Sequence, residues 1–215
     1  MVTHYIHRGL AKKSFKENTL SAFKYSFKKK YGIETDLQVT KDNQLICFHD
    51  FNLRRKFNLN KNVKDINYSS LKKISKKRKA TVPLLKDLLK ISKNRYPLLL
   101  EIKPLLTKVS LLSLIKLIKK TKKYGIFSFK EKNLINLYKL NKGLSLGLLF
   151  LSNSNLRVIK SKSKKPHVKF LGLEKSFLSN KKLTKIRKPI FYYTVKKKSL
   201  FKKYKNSKNL IFENL

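Results

Sequence analysis

The 215-residue chain carries 54 Lys and Arg against 11 Asp and Glu, a formal net charge of +43, with 41% hydrophobic residues. Fourteen Phe and ten Tyr give it the mass for a sizeable core and exclude a disordered polycation. The lone Cys47 excludes an internal disulfide and a cysteine-based zinc cluster. The N-terminus shows no apolar run with a cleavage site, and the longest apolar-rich stretch, 109–118, is too short to span a bilayer, so a soluble cytoplasmic protein is the expectation.

Strand-like and helix-like stretches alternate along the chain. Residues 3–7 are a short β-rich start, and 17–30 read as a helix with Leu20, Phe23 and Phe27 on one face. Over 32–40, Ile33, Thr35, Leu37 and Val39 alternate with Glu34, Asp36 and Gln38, the period of a strand. Residues 45–48 count as an extension of that strand beyond the Lys41-Asp42-Asn43 turn. Residues 51–82 are polar and irregular, with a short helical stretch near 69–75. Helix 84–93 precedes strand 96–103, whose run Leu98-Leu99-Leu100 suits burial on both faces. Helix 108–123 is striped by Leu111, Leu114, Ile115 and Ile118. Strand and helix then follow at 125–129 and 131–140, 144–150 and 153–161, 168–173 and 179–186, and 189–195 and 197–205, before a last strand at 210–213. Eight strands separated by helices predict a compact α/β fold, a (β/α)8 TIM barrel, as one domain over 1–215; a doubly wound open sheet is the alternative that alternation alone leaves open.

Barrel enzymes carry their reacting groups at the C-terminal ends of strands. The first strand here ends in His7-Arg8-Gly9, the second carries Glu34-x-Asp36 with His49-Asp50 at the end of its extension, and the third ends in Glu101-x-Lys103. Residues i and i+2 on a strand share a face, so Glu34 and Asp36 project together, as do Glu101 and Lys103. Three carboxylates converging at one mouth repel unless a cation sits among them, and oxygen ligands alone suit Mg²⁺ or Ca²⁺. His7 and His49 offer an acid/base pair, and Arg8 and Lys103 offer fixed positive charge for a phosphate. Together these groups describe phosphodiester chemistry.

The sequence resembles the glycerophosphodiester phosphodiesterases. The matching text is HRG (7–9), ENT (17–19), AF (22–23), GIETDLQVTKDNQLICFHD (32–50) and EIK (101–103), with weaker echoes in VPLLKDLLK (82–90), SF (128–129), YTV (193–195) and IFE (211–213). The resemblance implies a (β/α)8 barrel that uses one divalent cation, Mg²⁺ or Ca²⁺, to cleave glycerophosphodiesters into glycerol 3-phosphate and an alcohol. It implies Glu34, Asp36 and Glu101 as metal ligands, His7 and His49 as the general acid/base pair, and Arg8 and Lys103 as phosphate-binding residues. The chain departs from the family pattern in Lys16, where Pro usually precedes the ENT motif, in YTV where Trp-Thr-Val is usual, and in an insertion after the second strand reduced to 51–82. The short insertion leaves the alcohol group open.

The remaining candidates have quieter readings. His4 and His167 read as structural, Cys47 as a small buried apolar residue, and Asp50 as support for His49 or its loop. Glu17 and Asn18 either cap the first helix or reach the site. Glu174 and Glu213 read slightly better as lysine-paired surface groups than as part of the mouth. An aromatic of Tyr192-Tyr193 either packs on the glycerol moiety or belongs to the core. The lysine runs read as a solvated outer ring, with nonspecific nucleic-acid or anionic-membrane association expected from charge and no specific protein partner implied. The rival function is a catalytically inactive barrel that binds polyanions, nucleic acid or anionic lipid.

Overall fold

The computed structural model of the chain describes residues 2–11, 16–78 and 80–213. Its strands are β1 (Tyr5–His7), β2 (Gly32–Val39), β3 (Leu45–Cys47), β4 (Leu98–Ile102), β5 (Tyr124–Ser128), β6 (Leu146–Phe150), β7 (Phe170–Glu174), β8 (Ile190–Val195) and β9 (Asn209–Phe212). Its helices are α1 (Leu20–Lys28), α2 (Arg54–Phe57), α3 (Tyr68–Lys77), α4 (Leu85–Ser92), α5 (Lys108–Ile118), α6 (Glu131–Leu140), α7 (Leu156–Ser163) and α8 (Lys198–Tyr204). Eight parallel strands close in the order β1-β2-β4-β5-β6-β7-β8-β9, with β1 paired to both β2 and β9. The closed ring is the predicted (β/α)8 barrel and excludes the open doubly wound sheet. No helix of the described residues is long and apolar enough to cross a membrane.

Two layers of packing follow from strand alternation. Outward side chains such as Ile6, Ile33, Leu100, Ile126 and Leu171 meet the helix stripes in one large core. Inward side chains Tyr5, Leu99, Phe127, Leu149, Phe170 and Ile211 fill the barrel itself. The interior is crowded enough to require glycine opposite its bulkiest members. A Cβ on Gly147 would lie 2.2 Å from the ring of its register partner Phe170, and one on Gly172 would lie 2.3 Å from Leu149. Two residues further along the same inward rows the chemistry changes: Tyr5 is followed by His7, Leu99 by Glu101 and Ile211 by Glu213. The filled lower barrel is thus a dry floor beneath a polar mouth.

Three elements differ from expectation. The 45–48 stretch is not an extension of the second strand; β3 returns antiparallel along β2, with Leu37 opposite Cys47 and Val39 opposite Leu45. Asn43 at φ 57° turns the hairpin, with its N–H donating to the Thr40 carbonyl. Residues 51–82 are not merely polar and irregular: α2, a 3-10 turn at Val63–Asp65 and α3 cover a small core of Phe48, Leu53, Phe57, Val63, Ile66 and Leu71. The helix expected at 179–186 is replaced by 3-10 turns Lys175–Ser179 and Lys181–Leu183. Asn180 separates them, its side chain accepting from the Lys182 N–H, which offers the backbone an alternative to continuing helix.

Away from the mouth, Glu131 at the start of α6 ties that helix to Lys162 of α7 and to His167, buried ahead of β7. Burial pushes the Glu131 carboxyl up, and hydrogen bonds from Lys162 and His167 bring it below its usual value. A lowered folded-state pKa stabilises above the unfolded carboxyl value of about 4.3, and that contribution is lost as pH falls through the folded value. Glu131→Gln is therefore expected to lower stability above about pH 5, where the ionised carboxylate contributes, and to change little below the folded-state value, so that the variant's stability falls less on acidification, as read by urea melts across pH. Gly147→Ala is expected to cost about 1–3 kcal/mol by forcing a methyl against the Phe170 ring, measured as a lower thermal midpoint.

Candidate active site

Each acidic group of the mouth is placed by parallel register. His7 lies opposite Glu34 across the β1–β2 pair, and Asp36 lies opposite Glu101 across the β2–β4 pair. Carboxylate oxygens of Glu34, Asp36 and Glu101 all lie within 4.8 Å of one another. All three are buried, at 2%, 1% and 9% exposure. The β2–β3 hairpin accounts for His49. A continuous extended strand would carry it roughly 40 Å from Asp36 at about 3.3 Å per residue. The return strand instead lets the Phe48 N–H donate to the Asp36 carbonyl at 2.9 Å, and Gln38 Nε2 donates to the carbonyls of His49 and Asp50.

Two cations flank the acids. Arg8 Nε lies 3.0 Å from Asp36 Oδ2, and Lys103 Nζ lies 3.0 Å from Glu101 Oε1 and 3.7 Å from Asp36 Oδ1. Arg8 turns off the end of β1 at φ 55°, a left-handed conformation with a real cost for a residue carrying a Cβ. Its N–H donates to the Glu34 carbonyl, and its carbonyl accepts from Asn18. Asn18 then donates through Nδ2 to Asp36 Oδ2 at 3.1 Å and accepts from the Thr35 hydroxyl at 2.7 Å. Thr19, one residue later, is the N-cap of α1. Neither Glu17 nor Asn18 caps α1, since Thr19 does; Asn18 reaches the acidic cluster, and Glu17 pairs with Arg8 and Arg55 beside it.

The triad is electrostatically incomplete without a further positive charge. Burial, then the charges of Asp36 and Glu101, hold the Glu34 carboxyl well above the usual range, and burial and Asp36 push Glu101 up to about 7. Burial would raise Asp36 too, but Arg8, His49 and Lys103 hold it below its ordinary value. Glu34 Oε2 is buried with no hydrogen-bond partner. Convergent oxygens, one of them orphaned, in a cluster without sulfur or imidazole donors fit a hard divalent cation. The buried acidic cluster meets that requirement.

Both histidines are backed by carboxylates at Nδ1. His7 Nδ1 lies 3.2 Å from Glu213 Oε2, and His49 Nδ1 lies 2.7 Å from Asp50 Oδ1. The hydrogen bond from His7, outweighing burial and aided by Lys196, pulls Glu213 down to about 2. Burial pushes Asp50 up, but hydrogen bonds from Arg55 and His49 bring it below its usual value. Ionised carboxylates only accept, so both rings carry the proton on Nδ1 and leave Nε2 as the second functional nitrogen. Burial lowers the His49 pKa against the pull of Asp36 and Asp50. Arg55 of α2 grips Asp50 through Nε at 2.7 Å and reaches Glu17 through a terminal nitrogen at 3.2 Å, while Arg8 meets Glu17 from the other side. His7, Arg8, His49, Glu101 and Lys103 line one open cavity of about 310 Å³ with Phe129, Tyr193 and Glu213.

All seven sequence-predicted site residues therefore gather at one mouth. Glu213, read above as the slighter candidate, both pairs with Lys196 and backs His7. Its position directly after the last strand was the available signal. Arg55 was missed, and nothing in its local sequence marks it, since α2 is four residues long within the insertion. Tyr193 lines the cavity with its hydroxyl donating to the Phe150 carbonyl. Glu174 follows the quieter reading, paired with Lys175 and the Ser176 N–H. His4 packs on Phe201, and Cys47 is buried.

Known proteins resemble this chain in sequence and in fold. A glycerophosphodiester phosphodiesterase from Bacillus altitudinis is 34% identical over 110 residues, covering 47% of this chain and 44% of that protein. Human lysophospholipase D GDPD1 is 39% identical over 69 residues, covering 32% of this chain and 22% of that protein. The matched stretches thus span less than half the length of these curated relatives. Among solved structures, a glycerophosphodiester phosphodiesterase from Thermotoga maritima superposes with a TM-score of 0.84 at 20% identity, over 99% of this chain and 94% of that one. An Oleispira antarctica phosphodiesterase, solved with the product sn-glycerol-3-phosphate, gives 0.83 at 19% identity over 98% and 92%. The Glycerophosphoryl diester phosphodiesterase family itself matches residues 7–204, from the first histidine of the mouth to the end of α8. With that span covering the acidic cluster, both histidines and nearly the whole barrel, the chain belongs to the glycerophosphoryl diester phosphodiesterase family.

Proposed function

We propose that the chain hydrolyses glycerophosphodiesters to glycerol 3-phosphate and an alcohol, as a cytoplasmic phosphoric diester hydrolase. The observation that carries this reading is one cavity in which a buried, under-neutralised carboxylate triad stands beside two carboxylate-backed histidines. Glu34, Asp36 and Glu101 would hold Mg²⁺ or Ca²⁺. Bound there, the cation supplies positive charge for a phosphoryl oxygen and for glycerol hydroxyls. Arg8 and Lys103 add fixed charge for the phosphate, Arg8 through the guanidinium edge not committed to Glu17 and Asp36.

The Nε2 atoms of His7 and His49 move the protons. One accepts the proton of the nucleophile, whose oxygen forms the new bond to phosphorus. The other gives a proton to the departing alkoxide as its P–O bond breaks. The nucleophile is water, or the glycerol 2-hydroxyl by way of a cyclic phosphate that water then opens. Glu213 and Asp50 are positioning residues that fix each ring and its tautomer.

His7→Ala and His49→Ala are each expected to lower turnover about 10²–10⁴-fold with melting temperature nearly unchanged, read as glycerol 3-phosphate released from glycerophosphocholine. Near-native activity in either folded variant contradicts the pair. Treatment with EDTA is expected to abolish turnover, with Mg²⁺ or Ca²⁺ restoring it and raising the melting temperature by binding the folded state. Turnover that survives chelation, or none on several glycerophosphodiesters with metal supplied, contradicts the metal-assisted reading.

A further inference from the structure

Exposed apolar side chains are distributed unevenly over the barrel. Among the described residues eight large ones are left exposed; Leu112 lies in the second turn of α5, Leu140, the last residue of α6, sits at the end away from the mouth, and the other six lie on the mouth side. Phe51 follows β3, Leu105 and Val109 follow β4, and Leu151 follows β6, all 50–63% exposed. Phe129 follows β5 and Val158 lies in the first turn of α7. Strands β3, β2, β4, β5 and β6 are consecutive neighbours in the sheet, so these side chains form one arc over half of the mouth. Beyond β7 and β8 no large apolar side chain is exposed among the described residues, and Lys175, Lys196 and Lys197 stand there instead.

Single exposed apolar residues are ordinary on a soluble protein; an arc of them at one end is not. Lysines are interspersed with it. Lys41, Lys64, Lys108 and Lys130 are exposed on the same loops and helix starts. The neighbouring acids are occupied locally, Asp42 by the Thr40 hydroxyl and the Tyr68 N–H, and Asp65 by the Asn62 amide. Net positive charge therefore accompanies the apolar tips. A groove of about 730 Å³ lined by Phe51, Leu105, Val109, Lys64 and Lys130 runs through the patch beside the cavity.

We propose that this arc docks the mouth of the barrel onto the surface of an anionic bilayer. The apolar tips enter the boundary between headgroups and acyl chains, and the surrounding lysines meet the anionic headgroups. The match is one of composition and charge: a nucleic acid would engage the lysines and leave the apolar tips in water. Docking faces the catalytic cavity toward the lipid surface, which places it where amphiphilic phosphodiesters are concentrated.

The test compares cosedimentation with vesicles of phosphatidylcholine alone and of phosphatidylcholine mixed with phosphatidylglycerol. A Leu105→Ser/Val109→Ser/Leu151→Ser variant keeps every charge and alters no residue of the catalytic cavity. It is expected to partition onto the mixed vesicles at least about tenfold more weakly than the native chain. Its retention of duplex DNA should be unchanged, and Leu140→Ser should behave as native. As the chain contains no Trp, Leu105→Trp adds a single fluorescent reporter, expected to shift to the blue on mixed vesicles. Vesicle binding that the triple variant leaves intact, a native chain that holds DNA and not vesicles, or an unshifted Leu105→Trp spectrum would overturn the proposal. Binding is read without turnover, so its failure and failure of the hydrolase reading are separate results.

Discussion

Mutual repulsion among three buried carboxylates sets the terms for everything at the mouth. Glu34, Asp36 and Glu101 are held together by strand register and stripped of water by the barrel wall. Burying even one unpaired carboxylate costs several kcal/mol, so the fold surrounds three of them with compensation. Arg8 accepts a left-handed backbone to reach Asp36, Asn18 just ahead of the α1 cap donates to the same residue, and Lys103 bridges Asp36 and Glu101. The compensation is partial: neighbouring cations stabilise the charge of Asp36, while the charge of Glu34 stays disfavoured by burial and by the other two carboxylates. That imbalance is what fits the cluster to receive a cation, where full compensation would leave a closed salt-bridge network.

Much of this was readable in the residues. The inward rows Leu99-x-Glu101-x-Lys103 and Tyr5-x-His7 announce a strand that is apolar below and polar at its end, and two-residue periodicity is the most local of structural signals. The β2–β3 hairpin was only half readable. Alternation identifies both strands, but direction depends on the geometry of a three-residue turn and on the core formed by Phe48, Leu53 and Phe57 beneath it. Arg55 was unreadable because its importance comes from a long-range meeting with Asp50 and Glu17, and no periodicity encodes that. The 3-10 turns around Asn180 were not readable, because alternation of strand and helix predicts a helix at 179–186 and carries no sign of the Asn180 side chain that competes with the backbone for the Lys182 N–H.

Two populations stand out within the +43 charge. Lys28, Lys76, Lys77, Lys160, Lys162, Lys202 and Lys203 crowd the last turns of helices, where they oppose the negative end of the helix dipole. Arg8, Arg55, Lys103 and Lys196 instead hold carboxylates of the mouth. The first population makes a diffuse field that salt screens over about 10 Å, and it attracts any anion. The second is short-ranged and directional. On the proposed function, an anionic diester would be drawn in by the former and oriented by the latter, while a divalent cation would have to overcome the field to reach the carboxylates.

The contact between His7 and Glu213 joins residues 206 positions apart. It forms only when β9 slots between β8 and β1, the pairing that closes the ring. Barrel closure and completion of the histidine pair are therefore one event. The acidic cluster needs only the neighbouring strands β2 and β4, whereas the carboxylate behind the first imidazole arrives with β9. Long-range closure of this kind is slow in folding. On the proposed function, the acidic cluster depends on neighbouring strands alone, whereas the support of the first histidine depends on closure of the whole ring.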